Sequence, residues 1–303
     1  MTHLPFDDRD GFIYLDGKII PWREAQTHVL THGLHYSSSV FEGERAYGGN
    51  IFLSEKHSAR LIKSAEMVHM PMPVDLDAIE NAKREVLEAN GFKDAYVRAF
   101  AYLGGEQMGI DTTKCVTHFA VAAWTDWQSY FDPAERKKGL TLATVPTRRP
   151  PPECMRVHSK SAGNYQMSMI AKREAHALGA YDALMLDWEG YVAESSGANI
   201  FMVKDGVILT PNADRFLNGL TRQTIIQIAR DNGYTVDDTQ RILPEELIRA
   251  DEIFLTGTAA EISLVSKIIH DGEEYSFGVG PVGLELASAY TDLVNSAPEP
   301  HSP

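Results

Sequence analysis

A lysine amine, a carboxylate and two glycine-bearing turns are the residues of this chain best able to do chemistry. Lys160 lies in Val157-His158-Ser159-Lys160-Ser161-Ala162-Gly163-Asn164-Tyr165, a run of small and polar residues ahead of a helical pattern. It is one of twelve lysines, and most lysines are solvated surface residues. Its small neighbours set it apart, because they would let a bulky group approach the amine. An amine near its usual pKa of about 10.4 is a protonated, poor nucleophile, so a site that uses Lys160 must depress that value by burial or nearby positive charge. A lysine so tuned can serve as a general acid–base. Glu194 follows the apparent strand Tyr191-Val192-Ala193 and opens Glu194-Ser195-Ser196-Gly197-Ala198-Asn199-Ile200-Phe201. In isolation it is an ordinary exposed strand-end carboxylate. Gly219-Leu220-Thr221 starts a helix, whose first amides suit an anion, and Gly219 permits close backbone approach. Gly257-Thr258-Ala259 is a second small-residue turn after a strand, and Arg60 could add a charge-assisted contact from its helix. Each of these alone is as well explained by a cap, a turn or a solvated arginine.

The elements that must position them are legible in outline. Phe12-Ile13-Tyr14-Leu15 and Lys18-Ile19-Ile20 flank Asp16-Gly17, a tight β-turn pair. Gly48-Gly49-Asn50 marks a second turn. Ser54 is the expected N-cap of a helix that Pro71 and Pro73 stop, and a further helix runs from Asp77 to Asn90 with Gly91 closing it. Tyr96 to Tyr102 and His118 to Trp124 are strand patterns. Apolar periodicity lapses between Thr125 and Lys138, which places the domain connection there: a small α/β domain over 1–126, a connection over 127–138 and a large domain over 139–303. Arg148-Arg149-Pro150-Pro151-Pro152 is a second break, extended backbone that guides the chain towards Lys160. Beyond it come a helix from Gln166 to Leu178, hairpins turning at Trp188-Glu189-Gly190 and Asp205-Gly206, a helix from Thr221 (the expected cap) to Asn232, and a last helix from Val282 to Val294.

Composition narrows the function classes. The chain has 303 residues, 44% hydrophobic, enough for a large core and two domains. Its net charge is −14, with no basic face for nucleic acid. The two cysteines, Cys115 and Cys154, have no metal-ligand spacing around them and suit reduced thiols in a cytoplasmic setting. The acidic N-terminus lacks the apolar stretch of a signal peptide, and no run of about 18 apolar residues suggests a membrane span.

Taken together, Glu194, Ser196, Asn199, Ile200-Phe201, Ile208-Leu209-Thr210 and Leu217-Asn218-Gly219-Leu220-Thr221-Arg222 resemble, in order and spacing, the signature of class-IV aminotransferases, the fold-type-IV enzymes that use pyridoxal 5'-phosphate (PLP). Within them, His35-Tyr36-Ser37-Ser38-Ser39-Val40-Phe41-Glu42-Gly43-Glu44-Arg45, Tyr96-Val97-Arg98 and Met108-Gly109 resemble motifs of the branched-chain amino-acid aminotransferases. The resemblance implies an α/β (α+β), two-domain, D-amino-acid-aminotransferase-like fold with the cofactor between the domains, in a homodimer or larger homo-oligomer. It implies transfer of the amino group between leucine, isoleucine or valine and 2-oxoglutarate. Lys160 would be the lysine that binds PLP covalently, Glu194 the partner of the pyridine nitrogen and Tyr165 that of the phenolic oxygen. Arg60, Gly219, Leu220, Thr221 and Thr258 would hold the phosphate, and the amides of Thr258 and Ala259 the substrate α-carboxylate. Tyr36, Phe41, Gly43, Arg45, Tyr96, Arg98 and Tyr130 would line the substrate pocket. There, aromatic walls would suit an apolar side chain, while Arg98 and tyrosine hydroxyls would suit the γ-carboxylate of glutamate. A buried Arg98 should have a tyrosine or water partner. Two positions depart from the commoner motif, which has glycine at Ser37 and an apolar residue at Glu44; a carboxylate there would pair with Arg45 or narrow the substrate range. The same fold also admits D-amino-acid or (R)-amine transamination, or a lyase reaction such as that on aminodeoxychorismate. A non-enzymatic binding module is the bland alternative. No metal is expected.

Overall fold

The computed structural model describes residues 5–126 and 138–296. Those residues form two compact units: one of 5–126 together with Ser159–Gly163, the other of 138–158 and 164–296.

The first unit is a sheet with helices. In chain order it contains β1 (Phe12–Leu15), β2 (Lys18–Pro21), α1 (His32–Tyr36), β3 (Ser39–Phe41), β4 (Glu44–Tyr47), β5 (Asn50–Ile51), α2 (Ser54–Met67), α3 (Leu76–Asn90), β6 (Ala95–Leu103) and β7 (Thr117–Trp124). The strands run β2-β1-β7-β6-β4-β5, with β3 also paired to β6. Strand alternation on β6 decides which side is core. Ala95, Val97, Ala99, Ala101 and Leu103 pack with Leu61 and Ala65 of α2 and Ile79, Ala82 and Val86 of α3. Tyr96, Arg98, Phe100 and Tyr102 therefore take the other face.

Local rules hold at some element ends and fail at others. Gly91 closes α3 in the left-handed conformation, φ 65°, as its lack of a side chain allows. Ser54 is not the cap of α2: Leu53 holds the N-cap position, and the Ser54 hydroxyl accepts from Lys83 Nζ at 3.1 Å. A buried ammonium outcompetes the helix amides for that oxygen.

The second unit contains β8 (Leu140–Thr144), α4 (Gly163–Ala177), β9 (Asp182–Leu186), β10 (Val192–Ser195), β11 (Asn199–Lys204), β12 (Val207–Leu209), α5 (Leu220–Asp231), β13 (Thr235–Asp237), α6 (Pro244–Leu247), β14 (Glu252–Gly257), β15 (Glu261–His270), β16 (Glu273–Ser276) and α7 (Pro281–Asn295). Strands β10, β9, β8, β15, β14 and β11 pair in that order, and β11 pairs back to β10, so the strands close on themselves. The closing pair is Glu194 with Asn199. Leu142, Leu184, Leu186, Val192, Ile200, Ile253 and Leu255 belong to one core cluster, whereas Ala143, Ala183 and Met185 pack with Ala171 and Ala175 of α4. Gly219, not Thr221, is the N-cap of α5, and Thr221 lies buried inside the first turn. Among the described residues no helix is long and apolar enough to cross a membrane.

Candidate active site

Lys160 sits on a short extended segment pinned to the first unit by its backbone. Ser161 bridges Val40, the Phe41 amide donates to the Lys160 carbonyl at 3.1 Å, and the Ala162 amide donates to the Ser39 carbonyl at 2.9 Å. On the other side a single residue of α2, Ser64, takes two bonds: its hydroxyl accepts from the Lys160 amide and its carbonyl from the Ser159 hydroxyl, both at 2.9 Å. The half-buried Lys160 side chain places Nζ 5.1 Å from the centre of the Phe41 ring. The Arg98 guanidinium lies 4.6 Å from the centre of that same ring and donates to the Tyr96 hydroxyl at 3.1 Å. A tyrosine partner for Arg98 is what the cost of burying its charge requires. The Tyr96 hydroxyl also lies over Gly43, where any Cβ would collide with it. Arg45 is buried with its guanidinium 4.4 Å over the Tyr47 ring, and Tyr36 is exposed beside His32.

Alternation explains the motif Phe41-Glu42-Gly43-Glu44-Arg45. Phe41 and Gly43 meet Arg98 and Tyr96, whereas Glu42 and Glu44 meet the helices. Both carboxylates are wholly buried. Glu42 takes Arg60 Nε and Nη2 at 2.7 and 2.8 Å and His57 Nδ1 at 2.7 Å. Burial alone would raise the Glu42 carboxyl, but the charge of Arg60 and the bonds from Arg60 and His57 reverse this and hold it well below the usual carboxylate range. Arg60 is therefore not a solvated helix arginine. Glu44 does not pair with Arg45; its partner is the buried Lys83 of α3, at 2.7 Å, because position 44 faces the helices. Burial pushes the Glu44 carboxyl up to about 8, with Lys83 pulling the other way.

In the second unit Glu194 is only 5% exposed, unlike the solvated strand end it would be in isolation. The strand register slips between Val192 and Glu194 against β9, so Glu194 pairs with Met185 instead of continuing the Val192 alternation. Its carboxylate forms an ion pair with Arg149 Nη2 at 2.5 Å and accepts from Asn199 Nδ2 at 3.2 Å. Asn199 also donates to the Leu217 carbonyl and accepts from the Gly219 amide, each at 3.1 Å. One side chain thus ties the buried carboxylate to the start of α5. A Cβ on Gly219 would strike the Asn199 side-chain oxygen, so glycine is required there. Arg222 anchors the same helix from behind: it donates to the Thr210 hydroxyl at 3.2 Å, the Asn218 side-chain oxygen at 2.9 Å and the Pro211 carbonyl at 3.0 Å. Thr210 in turn donates to the Ile200 carbonyl at 2.8 Å. Tyr165 lies half-buried in the first turn of α4, Thr258 and Ala259 half-buried in the turn after β14. Tyr130 lies outside the described residues.

Arg149 and Glu42 were not singled out as site residues by the sequence. Arg149 appears there only as part of the break before the prolines; in the fold it bridges Asp187 and donates to the Asn164 carbonyl at 3.2 Å. The alternation of residues 41–45 was the available signal for Glu42. Among the described residues no cluster of three or more His, Cys, Asp or Glu could hold a metal ion.

Known proteins resemble this chain over almost its whole length. The family profile described as amino-transferase class IV matches residues 39–268. The chain is 42% identical over 300 residues to the branched-chain-amino-acid aminotransferase of Pseudomonas aeruginosa, covering 97% of this chain and 96% of that one. It is 33% identical over 294 residues to that of Escherichia coli K12, covering 95% and 94%. Among solved structures, the T.th. branched-chain amino acid aminotransferase complexed with N-(5'-phosphopyridoxyl)-L-glutamate superposes with a TM-score of 0.87 at 40% identity, over 95% of each chain. The Escherichia coli enzyme gives 0.90 at 32% identity over 97% of each. The profile spans β3 to β15 and so takes in the hydrogen-bonded group of Glu194, Asn199 and Gly219: the chain belongs to the class-IV aminotransferase family.

Proposed function

We propose that this chain is a PLP-dependent branched-chain amino-acid transaminase, moving the amino group between L-leucine, L-isoleucine or L-valine and 2-oxoglutarate. The observation that carries the reading is the shared Phe41 ring, with the Lys160 amine 5.1 Å and the Arg98 guanidinium 4.6 Å from its centre. An amine for chemistry, an aromatic wall for an apolar side chain and a cation for a carboxylate are gathered on one sheet face. Relatives with this specificity at 33–42% identity over nearly the whole chain favour it over D-amino-acid, (R)-amine or lyase chemistry.

The residues fit the cofactor. Glu194 is a buried carboxylate paired with Arg149, which would suit it to a protonated pyridine nitrogen. The start of α5 has a glycine cap with no side-chain cap bond, so the first-turn amides of Leu220 and Thr221 suit a phosphate, with Arg60 and Thr258 as further donors. When bound, PLP supplies an electron sink for the carbon that loses its proton. Lys160 would hold it through the amine and, once released by substrate, would take and return the proton at the substrate Cα. Tyr165 would donate to the phenolic oxygen. The amides of Thr258 and Ala259 would orient the α-carboxylate, while Tyr36, Phe41, Gly43, Tyr96 and Arg98 would shape the side-chain pocket.

Exposed Val29, Leu34 and Ile110, at 72, 66 and 83%, support a homodimer or larger homo-oligomer. The free thiols Cys115 and Cys154 support a reducing, cytoplasmic setting.

The test is the visible absorbance of the purified protein before and after L-leucine, D-alanine or an (R)-amine. Loss of the cofactor band with L-leucine alone is expected, and its loss in Lys160→Ala should not occur. A response to D-alanine or the amine instead would overturn the substrate assignment.

A further inference from the structure

Glu42 stands at the junction of three elements. It follows β3, its amide donates to the Ala99 carbonyl of β6 at 2.7 Å, and its carboxylate reaches His57 and Arg60, three residues apart on α2. Both carboxylate oxygens are occupied, and Glu42 is 0% and His57 3% exposed, while the Arg60 side chain retains 16%. A planar guanidinium gripped through Nε and Nη2 can neither rotate about its own axis nor swing to another rotamer without breaking a buried ion pair. The third nitrogen, Nη1, lies outside this fork.

Two effects of Glu42 on an anion held by Arg60 oppose each other. Its negative charge weakens the attraction, and its fork fixes the direction in which the guanidinium points. The first acts whichever way the guanidinium points. The second removes, before any anion arrives, the rotamer freedom that a long side chain would otherwise lose on binding it. Loss of the Glu42 charge would therefore tighten phosphate binding if neutralisation dominated and weaken it if orientation did.

We infer that Glu42 is a positioning residue for phosphate recognition: with His57 bracing its second oxygen, it holds Arg60 aimed at the phosphate of the cofactor. This rests on the reading of Arg60 as a phosphate donor given above. The same buried grip also couples the Phe41 segment to α2, so the strand that carries the aromatic wall and the helix that carries the phosphate arginine keep a fixed register.

The experiment compares PLP with pyridoxal, which lacks the phosphate. Dissociation constants of both are measured by absorbance titration of the full-length apoprotein, for wild type, Glu42→Gln, Arg60→Gln and the double variant. Expected is a PLP affinity about tenfold lower in Glu42→Gln with pyridoxal affinity unchanged, and a double variant no worse than Arg60→Gln alone. If Arg60→Gln shifts the PLP-to-pyridoxal ratio and Glu42→Gln does not, the inference is overturned and the phosphate role of Arg60 survives. If neither shifts the ratio, that role fails and the inference with it. An equal loss for both ligands makes Glu42 merely structural and also overturns the inference. Should Glu42→Gln not fold, Glu42→Asp carries the test: its shorter carboxylate cannot grip both guanidinium nitrogens while reaching His57, so the ratio must still shift, and an unchanged ratio refutes the proposal.

Discussion

The Gly219 amide donates to the Asn199 side-chain oxygen at 3.1 Å, twenty residues away in sequence, while the Asn199 nitrogen donates to Glu194 and to the Leu217 carbonyl. All its partners lie in a largely buried region, so removing the amide strands a carboxylate oxygen, a carbonyl and a backbone N–H at once. Asn199→Ala should destabilise the apoprotein by about 1–3 kcal/mol, the cost of leaving buried polar groups unpaired. Gly219→Ala should destabilise it too, because the new Cβ meets the same oxygen. Urea unfolding of both variants checks this; a change within about 0.5 kcal/mol for Asn199→Ala would place it among ordinary surface substitutions and refute the linking role.

Arg149 and Glu194 form a buried ion pair, at 2.5 Å. Breaking such a pair from one side leaves an uncompensated charge. Arg149→Met should therefore destabilise the apoprotein by about 3–5 kcal/mol, and adding Glu194→Gln should recover much of the loss. A thermal-unfolding double-mutant cycle measures the coupling. Additive losses would mean that the two side chains meet without depending on each other.

What the sequence revealed and what it hid follow from the range of each interaction. Turn glycines such as Gly91 and the alternation of β6 are local, and the strands and helices they mark are present. The signature spacing gave Glu194, Asn199 and Gly219, yet not the reason they travel together, which is a hydrogen-bond link across the closing strand pair. The strand slip at Glu194 depends on β9, a separate strand, so alternation within β10 cannot reveal that this carboxylate is buried. Ser54 shows a local rule losing to a distant partner, since Lys83 lies 29 residues on. Alternation gives Glu42 a side and the prolines give Arg149 an extended backbone, but only tertiary contact shows what either holds.

Ser37 explains one departure from the commoner motif. It adopts φ 54°, ψ 27° after α1, a left-handed conformation that glycine reaches without steric cost. Ser37→Gly should relieve that cost and stabilise the protein by up to about 1 kcal/mol, offset in part by the freer unfolded chain. A shift in urea midpoint at unchanged slope is the readout, and a destabilised variant would show that the Ser37 side chain contributes more than its backbone strain removes.

Glu44 should give the protein a pH dependence of its own. Its carboxyl is raised by burial from the ordinary 4.5 to about 8. A carboxyl raised on folding binds its proton more tightly in the native state. Its contribution to stability is therefore complete below about pH 4.5 and declines as pH rises towards 8, by at most about 1.4 kcal/mol per pH unit. Glu44→Gln, which resembles the protonated acid, should flatten that decline. Unfolding free energies at pH 5.5 and 8.5 for both proteins decide the matter: an equal fall in wild type and variant would assign the pH dependence to other groups.

Arg98 and Tyr96 make a prediction about substrate choice. Arg98 donates to the Tyr96 hydroxyl at 3.1 Å while lying over Phe41, so one guanidinium is aimed by a tyrosine and backed by an aromatic ring. In the proposed reaction the pocket takes an apolar side chain and a γ-carboxylate in turn, and only the second engages the charge. Tyr96→Phe keeps the ring that Trp124 packs against, 4.9 Å between centres, and removes only the hydroxyl. Loss of one hydrogen bond to a charged group is worth roughly 1.5–3 kcal/mol, so kcat/KM for glutamate should fall at least about tenfold while that for leucine changes far less. Gly43→Ala should produce a related defect from the other side, since its Cβ would displace the same hydroxyl. Steady-state kinetics with each amino donor against a common oxo acid measures the split. Equal losses for leucine and glutamate would mean that Tyr96 shapes the pocket as a whole, and that Arg98 is not the group that distinguishes the two substrates.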